Sequence, residues 1–392
     1  MSVKSCHEYA REVSGRYRAA SRKEKGVILD EFTRTCGYER KYAIGLLRKP
    51  PVKRAAPIKR PRAVVYGEDV KRALVGAWEA SDRLCAKRLV PFLKELVVVL
   101  ERHKEIELQG GTRKRLLSIS PATADRLLAS ERRRLNWRGK TTTKPAQILR
   151  RQVEVRTAND WNEDVPGYFE ADLVAHCGES AHGQYVNSLV LTDVATGWIE
   201  LAALPNKSQR SVTDAIDRIR KRLPFSILGI DSDNGTEFIN ANLYRYCNEQ
   251  KIHFTRCRPY KKNDQCRVEQ KNWSIVRQRI GYARYEGAKE CSRLANVYSW
   301  LRPFVNYLQP SMKLVSKTRD GAKVTKIHDV AKTPYERLLA YETLTSRSKM
   351  DLNEYYLGLN PKQLIREYRA AKEKLDDEAR VRISHEATIL QK

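Results

Sequence analysis

Tyr168-Phe-Glu-Ala-Asp-Leu-Val-Ala-His176 reads as a strand, and the text on either side extends it into an alternating α/β pattern. Ser188-Leu-Val-Leu-Thr-Asp193 is a second strand. Gly197-Trp-Ile-Glu-Leu-Ala-Ala-Leu204 is a third, entered through a turn at Ala195-Thr196-Gly197. A helix from about Ser208 follows, with Val212, Ile216 and Ile219 on its inner face. The apolar run Phe225–Ile230 is expected to be the fourth strand, and Ile252–Thr255 the fifth. With a helix near 240–250 and another from about Asp264, the order is β-β-β-α-β-α-β-α. That order predicts an α/β sandwich around a mixed five-stranded sheet over residues 163–308.

Three carboxylates stand out in this frame. Asp172 lies late in the first strand. Asp233 ends the fourth, within Asp231-Ser-Asp-Asn-Gly-Thr-Glu-Phe238. Glu269 lies on the last helix, within Arg267-Val-Glu-Gln-Lys-Asn272, with 35 residues between it and Asp233. Phosphodiester chemistry needs a nucleophilic oxygen activated and a leaving oxygen stabilised, and two Mg²⁺ ions do both. Mg²⁺ is a hard cation, so carboxylates suit it better than Cys or His. Taken singly, each acid is equally well a strand-end cap, a turn initiator or a surface helix residue. Glu170 shares a strand face with Asp172, and Asp231 shares one with Asp233, so both remain candidates. Asp193, Glu237 and Asp264 fit hairpin, turn and helix-cap positions.

The three acids at this spacing resemble the retroviral integrase superfamily, and most closely the integrase-like (DDE) transposases of bacterial insertion sequences. Thr192-Asp-Val-Ala-Thr-Gly-Trp198 and Arg258-Pro-Tyr-Lys-Lys-Asn263 are similar to the family's flanking text. The resemblance implies an RNase H-like catalytic core in which Asp172, Asp233 and Glu269 are catalytic and hold two Mg²⁺ ions, with Mn²⁺ able to substitute. It implies cleavage at transposon ends, then attack of the freed 3′-OH on target DNA, performed by a homo-oligomer. The zinc domain that precedes retroviral cores has no counterpart here.

The flanks point to nucleic acid independently. The chain has 392 residues, 75 Lys and Arg against 47 Asp and Glu, and a formal net charge of +28. An excess of this size attracts a polyanion, and double-stranded DNA is the expected partner. No apolar run approaches the ~18 residues of a membrane span, and the charged start lacks a signal peptide's apolar stretch. A cytoplasmic, nucleoid-associated protein with no membrane partner is expected. The eight cysteines form no Cys-x-x-Cys pair and read as reduced packing residues.

Residues 1–49 read as a helix-turn-helix unit. A capping box at Ser21 and Glu24 starts one helix, with Val27, Ile28, Leu29 and Phe32 on its apolar face. Gly37 turns the chain into a helix at about 39–48, expected to bury Tyr42, Ile44 and Leu47 and to present Arg40 and Lys41 to DNA. Residues 50–67 form a basic, proline-rich linker whose Arg60 and Arg62 suit a minor groove. Residues 68–130 read as a second helical, helix-turn-helix unit, in which Ser120-Pro121 opens a recognition helix carrying Arg126. Residues 131–162 are a second basic linker. Lys261, Lys262, Arg267 and Lys271 border the Glu269 helix and are candidates for phosphate contact. Residues 309–392 are expected to be a hairpin turning at Asp320-Gly321, then helices after Thr333-Pro334 and Asn360-Pro361. Two tethered readers would recognise each DNA end in two segments. The competing readings are a catalytically silent DNA-binding regulator, which need not keep the acids, and a plain RNase H-like nuclease, which needs no helix-turn-helix units.

Overall fold

The computed structural model describes residues 1–50, 65–133, 154–156, 165–233, 235, 237–257, 266–320 and 322–390. Residues 1–64 and 65–392 form two separate compact units.

The first unit holds α1 (Val3–Ala19), α2 (Arg22–Cys36) and α3 (Arg40–Arg48). The Ser21 hydroxyl and the Glu24 carboxylate cap α2 reciprocally, which satisfies two of its orphan N–H groups. Gly37 closes α2 at φ +70°, a left-handed position that a side chain would strain. The core is Ala10, Val13 and Tyr17 from α1, Ile28, Leu29 and Phe32 from α2, and Ala43, Leu46 and Leu47 from α3. Val27 and Tyr42 are exposed, unlike the expected apolar faces. Tyr42 instead meets Tyr38 edge-on, with ring centroids 5.0 Å apart.

The second unit begins with α4 (Glu68–Ala80), α5 (Ala86–Arg102), α6 (Gly110–Leu117) and α7 (Pro121–Arg133). The α/β part follows: β1 (Glu154–Arg156), β2 (Tyr168–Ala175), β3 (Asn187–Asp193), β4 (Ile199–Leu204), α8 (Gln209–Arg222), β5 (Gly229–Ser232), α9 (Ala241–Glu249), β6 (His253–Cys257) and α10 (Cys266–Lys271). A π-helical segment, Asn272–Arg277, continues α10, and α11 (Gly287–Leu308) comes next. The chain then forms β7 (Leu314–Asp320), β8 (Lys323–His328), α12 (Pro334–Leu339), α13 (Ser346–Leu357) and α14 (Pro361–Leu390).

The sheet runs β1-β6-β5-β2-β3-β4. Strands β2 to β6 are the five expected, and β1 adds a parallel edge strand where a linker was expected. Pairs β2–β5 and β5–β6 are parallel, and β2–β3 and β3–β4 antiparallel. Alternation along β2 sorts its neighbours. Phe169 and Ala171 face Val212, Ala215, Ile216 and Ile219 of α8 and Leu243 of α9. Val174 faces the other way, into a larger core shared with Val268, Ile275 and Val276 and with α11.

The fourth strand departs from expectation. It spans Gly229–Ser232 rather than the apolar run from Phe225, and its residues include the buried polar pair Asp231 and Ser232. Phe225 serves packing instead, stacking on Phe169 with centroids 5.9 Å apart. The chain crosses close by, with the Leu228 N–H donating to the Gly167 carbonyl at 2.8 Å.

Helices α4–α7 are not a unit of their own. Val70, Leu74, Leu89, Phe92, Leu93 and Leu96 belong to the same hydrophobic core as α11, α14 and the sheet's inner face. Asp82 fastens that junction, accepting from Arg279 Nε at 3.0 Å, Arg369 at 2.9 Å and the Tyr368 hydroxyl at 3.1 Å. The apolar periodicity of 68–100, expected to belong to a separate helical unit, is one face of a larger core. Among the described residues, no helix is long and apolar enough to cross a membrane.

Candidate active site

Strands β2 and β5 are parallel neighbours, but the chain leaves β2 toward β3 and β4 and reaches β5 only after α8. Their junction is therefore the point where strand order reverses, the usual place for a ligand in an open α/β sheet. Glu170 lies opposite Asp231 in the register, so two residues further on Asp172 meets the position of Asp233, just past the end of β5.

Asp172 is held at both oxygens. The Leu173 N–H donates to Oδ1 at 2.7 Å, and the Asn272 amide donates to Oδ2 at 2.5 Å. Burial, then the charges of Asp233 and Glu269, push its pKa up to about 7. Asp233 is half-buried and accepts from the Gly235 N–H at 2.9 Å. Burial and the nearby Glu237 raise its pKa too. A Cβ at Gly235 would sit 2.7 Å from the Glu237 carboxyl carbon and 2.9 Å from Asp233 Oδ1, so a side chain there would displace these carboxylates. Glu269 is exposed on α10, yet close enough to act on Asp172. Asp172 and Asp233 thus lie at the ends of neighbouring strands, and Glu269 is within electrostatic reach of Asp172.

The alternative acids have other tasks. Glu170 is fully buried and accepts the backbone N–H groups of Arg267 at 3.0 Å and Val268 at 2.9 Å, plus the Arg267 guanidinium at 3.1 Å. It clamps the first turn of the helix that carries Glu269, where orphan N–H groups and the helix dipole favour a carboxylate. Asp231 accepts from the Thr255 hydroxyl at 2.7 Å, tying β5 to β6. Asp193 accepts from the Gly167 N–H at 2.8 Å and the Thr196 N–H at 2.7 Å, so it fixes the hairpin. Asn272 is the site residue that composition did not mark. Its signal is the spacing: three residues beyond Glu269, it shares that helix face. The π-helical segment that begins there is an irregularity frequent at functional sites.

The cation candidates divide. Lys41 and Arg126 are exposed, though Arg126 hydrogen-bonds the Thr123 hydroxyl at 3.0 Å. Arg40 is exposed and paired with Asp30. Arg267 is partly exposed, with a side-chain exposure of 32%, and pairs with the buried Glu170 carboxylate. Lys271 is half-buried, and burial with Arg88, Arg279 and Arg337 nearby pushes its pKa down to about 8. It occupies the inner side of its helix rather than a phosphate-facing one. Arg60, Arg62, Lys261 and Lys262 lie outside the described residues, as does Asp264.

Hard oxygen donors at a strand junction, two of them with raised proton affinity, fit a divalent cation, which would replace the proton and relieve the repulsion. Among the described residues no three His, Cys, Asp or Glu side chains are already gathered as a metal site. Asn272 adds a buried Oδ1 for which no hydrogen-bond partner is found.

Residues 163–262 match the family model of the integrase core domain. The chain carries an integrase core domain over these residues. It is 42% identical over 337 residues to the uncharacterized protein y4rM of Sinorhizobium fredii (strain NBRC 101917 / NGR234), a match covering 86% of this chain and 96% of that protein. Among solved structures, the catalytic core domain of BIV integrase is 18% identical and matches 48% of this chain and 98% of its own, with a TM-score of 0.31. The catalytic core domain of HTLV-2 integrase, in a dimeric form in complex with magnesium, is 16% identical and matches 38% and 91%, with a TM-score of 0.29. At those values the two structural likenesses remain resemblances.

Proposed function

We propose that this protein, with its integrase core domain, is a transposase. It cleaves phosphodiester bonds at transposon DNA ends and joins the freed 3′-OH to target DNA through Asp172, Asp233 and Glu269. The observation that carries the reading is the placement of Asp172 and Asp233 at the β2–β5 junction with Glu269 in electrostatic reach, where burial first and then these two charges raise the Asp172 pKa to about 7. When bound, two Mg²⁺ or Mn²⁺ ions would activate the attacking oxygen and stabilise the leaving one. The protein's own residues supply position. Asn272 and the Leu173 N–H orient Asp172, the Gly235 N–H orients Asp233, and Glu170 fixes the helix that presents Glu269.

The net charge of +28 supports duplex DNA as the partner. The three-helix unit at 1–49, with Lys41 exposed on α3, supports recognition of the DNA ends, as does α7 with Arg126 exposed. Joining paired ends requires two active sites, so the working form is proposed to be a homo-oligomer on DNA in the cytoplasm. The test is to incubate the protein with its flanking DNA ends, Mg²⁺ and a plasmid. Joined products are expected. Binding of the ends without cutting or joining, in Mg²⁺ and in Mn²⁺, would favour a silent regulator instead.

A further inference from the structure

Among the described residues, the β7–β8 hairpin pairs only with itself and adds to no other sheet. A lone two-stranded ribbon is marginal in water, so its base and its surface merit separate accounts. The base is well fastened. The Lys313 N–H donates to Asp329 Oδ1 at 2.6 Å, and Asp329 N–H returns to the Lys313 carbonyl at 3.0 Å. Arg337 holds Asp329 Oδ2 at 2.7 Å and the Ser311 carbonyl at 2.8 Å. Lys313 Nζ reaches the Val194 carbonyl at 3.0 Å, on the loop after β3, and also the Ala195 carbonyl.

Beyond the base the ribbon is exposed. Its register places Lys317 directly opposite Lys326 and Arg319 opposite Val324, so these four share one face, with His328 further along it. Thr318 opposite Thr325 lies on the other face. Lys317, Arg319, Lys326 and His328 are all exposed. Like charges directly opposite on a strand pair destabilise it. From 313 to 328 the sequence has five Lys and Arg and a single acid, Asp320. A firmly anchored arm with a self-repelling cationic face is built to meet a polyanion. A two-stranded ribbon has the width of the DNA major groove.

We propose that the β7–β8 hairpin is a DNA-binding arm that lays its Lys317, Arg319 and Lys326 face against the phosphates of duplex DNA. This rests on the reading of the protein as DNA-acting, and the experiment separates the two. Binding of the full chain to a labelled duplex is measured by fluorescence anisotropy at several salt concentrations. The double variant Lys317→Gln/Lys326→Gln is compared with Thr318→Glu/Ile327→Glu, which lowers net charge by the same amount on the opposite face without setting the two carboxylates directly across from each other. Loss of two phosphate contacts lowers the salt slope by about 1.8 and weakens binding roughly 60-fold at 0.1 M salt. The first variant should show this and the second should stay near wild type.

Equal losses in both variants would mean a diffuse charge effect and overturn the assignment, as would wild-type behaviour in the first. A change in self-association without DNA, seen by light scattering of the lysine variant, would give the face to a second copy and overturn it too. Failure of the wild-type chain to bind any duplex would bring down the DNA-acting reading, and the arm with it.

Discussion

Replacing Asp172 by Asn should make the metal-free protein more stable while it removes activity. Asp172 carries a pKa raised from the ordinary 3.8 to about 7, by burial first and then by Asp233 and Glu269. A carboxyl whose folded pKa is raised binds more protons in the folded state than in the unfolded one. Stability therefore falls as pH rises through the interval from about 4 to 7, and the full penalty applies above it. At ~1.36 kcal/mol for each decade of proton affinity, that penalty is roughly 4 kcal/mol. Asparagine keeps the shape and sheds the charge. Its Oδ1 can still accept from the Leu173 N–H, and Asn272 can turn its amide so that its own unpartnered Oδ1 accepts the new NH₂.

Part of the 4 kcal/mol is lost to imperfect refitting, so a gain of about 2–4 kcal/mol at pH 8 is expected. Urea unfolding of both proteins in chelator at pH 4 and pH 8 measures it. The variant should be the more stable at pH 8, and the difference should shrink toward zero at pH 4. Adding Mg²⁺ at pH 8 should stabilise wild type more than the variant. A variant equal to or weaker than wild type at pH 8, or a difference independent of pH, would refute the electrostatic account of the site.

Glu170→Ala strands two buried N–H donors and the Arg267 guanidinium. It should cost about 3–5 kcal/mol in urea unfolding, with Glu170→Gln recovering part of the loss through its remaining carbonyl oxygen. Gly235→Ala should lower joining about 100-fold with little loss of stability, because the added methyl displaces the Asp233 carboxylate. Equal stability and activity losses in that variant would indicate a folding defect instead. Ca²⁺ in place of Mg²⁺ should permit DNA assembly with little chemistry, since its looser coordination disfavours a compact two-metal site. Gel-resolved cleavage products in each metal check this.

Much of the core was legible because strands buried on one or both faces carry periodic apolar residues. Tyr168–Ala175, Asn187–Asp193 and Ile199–Leu204 fall close to their expected bounds for that reason. The fourth strand slipped because apolar content and strand pairing part company there. Asp231 and Ser232 pair inside the sheet, while Phe225 packs from outside it. Helix α11 gives no clear periodic signal, being buried on several sides and interrupted by Pro303. Helix α13 carries exposed apolar residues such as Met350 and Tyr355, which blur its face.

The three candidate acids stand out by spacing and context. The neighbours that orient them do not, because the Glu170–Arg267 clamp and the Asp172–Asn272 hydrogen bond each join residues about a hundred positions apart. Distance along the chain likewise hides the pairing of Arg267 with Glu170 and the burial of Lys271. A basic residue on a helix reads as surface until the partner across the fold is known. The merging of α4–α7 into the main core was hidden likewise, since a buried face looks the same whichever element covers it.

The most direct test of the central claim compares wild type with Glu269→Gln in strand joining. This carboxylate is exposed on α10 and makes no hydrogen bond among those described for the site, so its loss should leave the fold and DNA binding intact. With equal DNA binding and Mg²⁺ present, wild type should join its ends to a plasmid, while the variant should give no product above background. Joining by Glu269→Gln at near the wild-type rate would contradict the assignment of Asp172, Asp233 and Glu269 as the catalytic site.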